Sequence, residues 1–167
     1  MINYFNEAQR LNGENFRKQV NGFGFNFYLF AKLPAAYFSG VRVLSLTEES
    51  CKVKIPYKWF SQNPFRSTYF ACLAMAGEMS TGLPCMMAIY KMNPKVSMLV
   101  VKMESTFSKK AADITTFECN DAPAIYEAVN RAIETKEGHT VETTAIGTNI
   151  AGDEVARFTI TWSFKSK

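Results

Sequence analysis

From residue 40 onward, hydrophobic and polar positions follow one another with a legible period. Val41-Arg42-Val43 and Lys52-Val53-Lys54-Ile55 alternate, with the polar Thr47-Glu48-Glu49-Ser50 between them, so they predict an antiparallel hairpin. Residues 56–64 mix turn formers with aromatics. The next segment, 68–90, is apolar on every face of a helix that Ser67 or Thr68 can cap, that Pro84 should kink or break, and that Asn93-Pro94 should end. A helix without a polar side cannot lie on a surface, so the remaining chain must surround it. Val101, Met103, Ser105 and Phe107 then alternate with Lys102, Glu104 and Thr106, and a further strand at 112–119 is expected to complete a second hairpin with them. Asn120 or Asp121 with Pro123 opens a helix whose Ile125, Val129, Ala132 and Ile133 form one stripe and which Gly138 should close. Last comes the clearest strand, with Ala156, Phe158, Ile160, Trp162 and Phe164 on one side; its partner at 140–149 joins it through Ala151-Gly152-Asp153.

Six antiparallel strands around one all-apolar helix predict an α+β hotdog fold, in which the concave face of a strongly twisted sheet wraps the helix. The main rival is a helix-grip or cystatin-like fold. It lays an amphipathic helix on its sheet, whereas 68–90 has no wet face. The 167 residues read as a single domain, with 1–38 as a helical, aromatic arm.

Composition adds exclusions. A net charge of +4 is mild and the cations are scattered, so nucleic acid is not an expected partner. Cys51, Cys72, Cys85 and Cys119 are widely spaced, with no C-x-x-C and no histidine cluster, and read as reduced core thiols of a cytoplasmic protein holding no metal. Arg17-Lys18 before the apolar 23–31 resembles a signal peptide only loosely, because Gly22, Gly24 and Asn26 interrupt the run and Glu7 and Glu14 precede it. Gly77, Ser80, Thr81, Gly82 and Pro84 argue in the same way that 68–90 is a core helix, so no stable membrane insertion is expected.

The single charge in that helix is Glu78. A lone carboxylate in apolar surroundings is costly and has either a partner or a task. Fifteen residues earlier stands Asn63, which before Pro64 reads by itself as a turn former. The stretch Asn63-Pro-Phe-Arg-Ser-Thr-Tyr-Phe-Ala-Cys-Leu-Ala-Met-Ala-Gly-Glu78 resembles the signature of hotdog acyl-CoA thioesterases, in which a loop Asn precedes the central helix and an acid follows at this separation. The order of elements over 40–164, about three quarters of the chain, is similar to an uncharacterised branch of that superfamily, related to the thioesterase-like C-terminal domain of certain bacterial acetyltransferases.

The resemblance implies Glu78 as general base or nucleophile and Asn63 as the holder of water or substrate. It also implies an oxyanion site at the helix N-terminus, at the backbone N–H of Phe70 or Ala71. Many members carry glycines there; this chain has Tyr69-Phe70-Ala71, where close backbone approach is harder.

Arg66, Ser67 and Thr68 beside the helix start are candidate substrate contacts, and Lys109-Lys110 is either a solvated turn or a site for the phosphates of coenzyme A. His139 reads as an ordinary strand-end residue, and without a histidine near the helix a hydratase is disfavoured. The aromatic run Phe23, Phe25, Phe27, Tyr28 and Phe30 reads as a lid over the sheet or dimer, an acyl tunnel wall or a membrane contact. These features favour a homodimeric, or dimer-of-dimers, hydrolase of an acyl thioester with no cofactor beyond the coenzyme A of its substrate. The alternatives are an acyl-binding protein without turnover and a partner-binding module using the arm.

Overall fold

The computed structural model describes residues 7–167. Three helices, α1 (Glu7–Val20), α2 (Phe25–Lys32) and α3 (Pro34–Ser39), form the N-terminal arm. Then follow β1 (Arg42–Leu46), β2 (Cys51–Ile55), a 3-10 turn (Trp59–Ser61), the central α4 (Phe70–Ile89), β3 (Val96–Phe107), β4 (Thr115–Cys119), α5 (Ala122–Thr135), β5 (Gly138–Thr148) and β6 (Glu154–Ser166). The strands make one antiparallel sheet in the order β1-β2-β4-β5-β6-β3. One face is wet, carrying pairs such as Lys52–Glu118 at 3.3 Å, and the other is packed on α4 and α5. This is the hotdog arrangement.

The alternation expected for β6 holds: Ala156, Phe158, Ile160, Trp162 and Phe164 are all buried. They meet α4 where it is smallest. A Cβ at Gly77 would lie 2.8 Å from the Phe158 ring and one at Gly82 3.2 Å from the Trp162 ring, so these glycines let the aromatics seat against the helix backbone. By length and composition α4 could cross a membrane, yet it is enclosed by the sheet.

Five expectations need correction. β3 and β4 do not pair. β3 runs beside β6 from Val96↔Ser166 to Phe107↔Ala156, while the short β4 lies between β2 and β5. Twelve residues of β3 match the thirteen of β6 and not the five of β4, and the segment 108–114 crosses over, held by Ser108 N–H to the Val155 carbonyl and Thr68 N–H to the Ala111 carbonyl. A bulge between Val100 and Lys102 also shifts the phase of β3, so Val100, not Val101, stands opposite Trp162.

Neither Ser67 nor Thr68 caps α4: its N-cap is Tyr69, with no side-chain cap. The Ser67 hydroxyl is turned to Asn63, and Thr68 Oγ1 is buried with no partner among the described residues. Of the two outcomes expected at Pro84, a kink or a break, the break does not occur. Pro84 deprives the Ser80 carbonyl of its helical donor at a cost of about 3 kcal/mol, but the neighbouring Leu83, Cys85, Met87 and Ala88 are all buried, and burying one Leu or Met alone recovers about 1.5–3 kcal/mol. The helix ends at Ile89, four residues before Asn93. Finally, α5 closes on Lys136 in the left-handed region (φ 60), and Gly138 already begins β5.

Candidate functional site

Glu78 lies in the middle of α4, in the wall of a cavity of about 1240 Å³ between α1, α2, the C-terminal half of α4 and the start of β3. The walls are mainly apolar: Phe16, Val20, Phe25, Met79, Leu83 and Trp162. Among the described residues its carboxylate has no hydrogen-bond or ion-pair partner, and burial pushes its pKa above the usual carboxylate range. Its surroundings are fixed nonetheless. Trp162 Nε1 donates to Thr81 Oγ1 (3.1 Å), whose hydroxyl donates to the Glu78 carbonyl (3.0 Å). One turn on, Gly82 keeps space open, since a Cβ there would be 3.3 Å from Glu78 Oε1. Lys18, Lys32 and Lys91 stand in the lining. Lys18 is paired with Glu14 at 2.7 Å and Lys91 lies over the Tyr90 ring at 5.4 Å, while Lys32 has no ion-pair partner among the described residues.

Asn63 is placed elsewhere. Its side-chain oxygen accepts from the N–H of Phe65 (2.9 Å) and of Ser67 (3.3 Å), and its amide nitrogen donates to Ser67 Oγ (3.1 Å). It therefore shapes the turn 63–67 in which Arg66 adopts φ 59. Lys110 Nζ reaches the Phe65 carbonyl at 3.3 Å and so joins this loop. Above it, the N–H groups of Phe70 and Ala71 in the first turn of α4 have no acceptor among the described residues, as is usual at a helix start.

The sequence candidates thus separate into two places. Asn63, Arg66, Ser67, Thr68, Lys110 and the N–H groups of Phe70 and Ala71 gather at the helix start. Glu78 opens into the cavity eight residues along, about 12 Å by helical rise. Lys109 belongs to neither group; it pairs with Asp153 at 3.0 Å, at the β5–β6 turn. His139 meets the Thr135 hydroxyl at 2.8 Å, as an ordinary strand-end residue would. The arm's part in the cavity, through Phe25, Tyr28 and Lys32, was foreshadowed in the sequence only by its aromatic run.

Residues 26–164 match the family described as Domain of unknown function (DUF4442). The chain belongs to the DUF4442 family. No curated protein matches its sequence. Solved structures do resemble it. A Pseudomonas aeruginosa protein described as a probable thioesterase has a TM-score of 0.73 at 19% identity, over 92% of this chain and 95% of that one. A Haemophilus influenzae thioesterase has a TM-score of 0.62 at 8% identity, over 85% and 88%. A Staphylococcus aureus thioesterase has a TM-score of 0.59 at 15% identity, over 77% and 95%; a Gln and a Glu fifteen positions apart have each been replaced by Ala in its solved structures. At these identities the likeness establishes for this DUF4442 chain the hotdog fold.

Proposed function

We propose that this chain hydrolyses acyl thioesters, acyl-CoA above all, as a homodimer or dimer of dimers. The observation that carries the reading is Glu78: a carboxylate with no partner among the described residues, facing a large apolar cavity. Its fifteen-residue separation from Asn63 equals that of the two residues replaced in the Staphylococcus aureus thioesterase. The cavity takes the acyl chain. Glu78 removes a proton from water as the water oxygen attacks the carbonyl carbon, and the carbonyl oxygen, gaining negative charge, faces the free N–H groups of Phe70 and Ala71. Collapse breaks the C–S bond, and Glu78 returns the proton to the leaving thiolate.

The rise of about 12 Å between the helix start and Glu78 favours a site shared by two copies, with the helix start from one and the acid from the other. β3 offers the means. It is an edge strand, and Met103 and Phe107, which point to the helix-bearing side of the sheet, remain exposed in the lone chain.

An acyl-binding protein without turnover is the second reading. It is favoured by Tyr69-Phe70-Ala71 at the helix start and by an Asn63 amide already occupied within its own loop. Release of free thiol from a panel of acyl-CoAs separates the two. Hydrolysis supports the first reading, whereas chain-length-dependent melting shifts without thiol release move the assignment to the second.

A further inference from the structure

The arm has a second aromatic face that the cavity does not use. Phe27, Phe30, Phe38, Phe60 and Trp59 form a continuous outer ridge, with successive ring centroids 6.4, 6.0, 6.1 and 6.2 Å apart. All five are exposed, from 46% at Phe30 to 79% at Trp59, and Phe23, just before α2, is 95% exposed. The ridge runs from α2 across α3 to the 3-10 turn after β2, so one contiguous aromatic surface is assembled from three elements that otherwise bury only Leu29, Ala36, Ser39 and Ser61. An apolar patch built in this way on an outer face marks an interaction site.

The charge around it points to the partner. Residues 15–47 and 50–77 contain no acidic residue, while Arg17, Lys18, Lys32, Arg42, Lys52, Lys54, Lys58 and Arg66 fall within them. Of these cations Arg17, Lys18 and Lys52 are paired, with Glu48 at 3.1 Å, Glu14 at 2.7 Å and Glu118 at 3.3 Å, and the others have no ion-pair partner among the described residues. Two cations adjoin the ridge. The Arg42 guanidinium lies 4.4 Å over the Tyr37 ring, which touches both Phe30 and Phe38, and Lys58 directly precedes Trp59. Aromatic rings flanked by cations, with no counter-acid, suit the boundary between anionic headgroups and acyl chains. A second copy of the chain would bring a like-charged face to this one, and α3 and the 3-10 turn flank β1 and β2, at the sheet edge opposite β3.

We propose that this ridge docks the protein on an anionic lipid surface, peripherally and without a spanning segment. The proposal is independent of turnover. Each nearby cation strengthens partitioning to such a surface about fivefold, and each buried ring by tenfold or more.

The test is co-sedimentation of the full chain with vesicles of phosphatidylcholine alone or mixed with phosphatidylglycerol, together with tryptophan emission. Trp162 is buried, so a vesicle-induced blue shift reports on Trp59. The proposal expects binding and a blue shift with the mixed vesicles, weakening as salt rises, and loss of binding by tenfold or more in Phe27→Ser and in Lys58→Glu. Ile150→Ser, at an exposed apolar residue of the β5–β6 turn, should bind as the wild type does. No binding to the mixed vesicles at low salt would overturn it. So would an equal loss in Ile150→Ser, or a drop in the molecular mass of Phe27→Ser in solution, which would assign the ridge to a second copy.

Discussion

Glu78→Gln keeps the shape of the side chain and its place in the cavity wall while removing the charge. Lys18, Lys32 and Lys91 line the same cavity, but among the described residues none forms an ion pair with the carboxylate, so the change breaks no ion pair and removes the burden of holding a charge in largely apolar surroundings. Two consequences follow with opposite signs. As a general base Glu78 contributes about 10²–10⁴-fold, so hydrolysis of a saturating acyl-CoA should fall at least hundredfold, in kcat rather than KM. Stability should behave differently. Burial raises the folded pKa of Glu78 above the ordinary 4.5, so the folded state holds this proton more tightly than the unfolded chain does. That contribution is complete below pH 4.5 and is lost as pH rises through the folded pKa. Relative to Glu78→Gln, the wild type should therefore melt progressively lower as pH rises from acid to neutral. Over the same range wild-type hydrolysis should increase as the base form appears. The assay is thiol release and thermal melting on both proteins across pH. Unchanged hydrolysis in the variant removes Glu78 from the mechanism, and a variant less stable than wild type at neutral pH shows that the carboxylate has a stabilising partner.

Three further outcomes are expected. Leu73→Asp places an unpaired charge at a 3% exposed position of α4, a cost of several kcal/mol comparable with the stability of a domain, and should abolish a cooperative melt by circular dichroism. Met103→Asp, on the uncovered stretch of β3, should leave the melt of the single chain nearly intact while light scattering reports one chain where the wild type reports two; an unchanged mass excludes β3 as the interface. Asn63→Ala removes the side chain that closes the turn 63–67 and should lower Tm by several degrees, with a smaller loss of turnover than Glu78→Gln.

How much the sequence disclosed depended on whether the determining contacts were local. The β1–β2 and β5–β6 hairpins were legible because a polar turn lies between two alternating segments. Central placement of α4 was legible because no face of that helix is polar. The pairing of β3 was not, because its alternation is satisfied equally by β4, its neighbour in the chain, and by β6, some fifty residues away; strand length and the crossover 108–114 decide between them. The start of α4 misled for a related reason. Ser67 and Thr68 have good capping chemistry, but the Ser67 hydroxyl is taken by Asn63 and the Thr68 N–H by the Ala111 carbonyl, a partner that no local pattern announces.

The site shows the same division at a finer scale. Glu78 stood out because the one charge in a mainly apolar helix of 20 residues is conspicuous wherever it points. The cavity it faces is a product of the arm, which shares no periodicity with α4 and whose α2 has an inner side, Phe25 and Leu29, and an outer side, Phe27 and Phe30, that look alike as sequence. Packing alone separates the two sides: Leu29 is fully buried while Phe27 is 73% exposed. One eight-residue helix thus helps wall the cavity with one face and carries the aromatic ridge on the other, so the face a substitution touches decides its effect. Changes at Phe25 or Tyr28 should alter acyl-chain preference in solution, and changes at Phe27 should alter it only when the substrate is presented in a lipid surface.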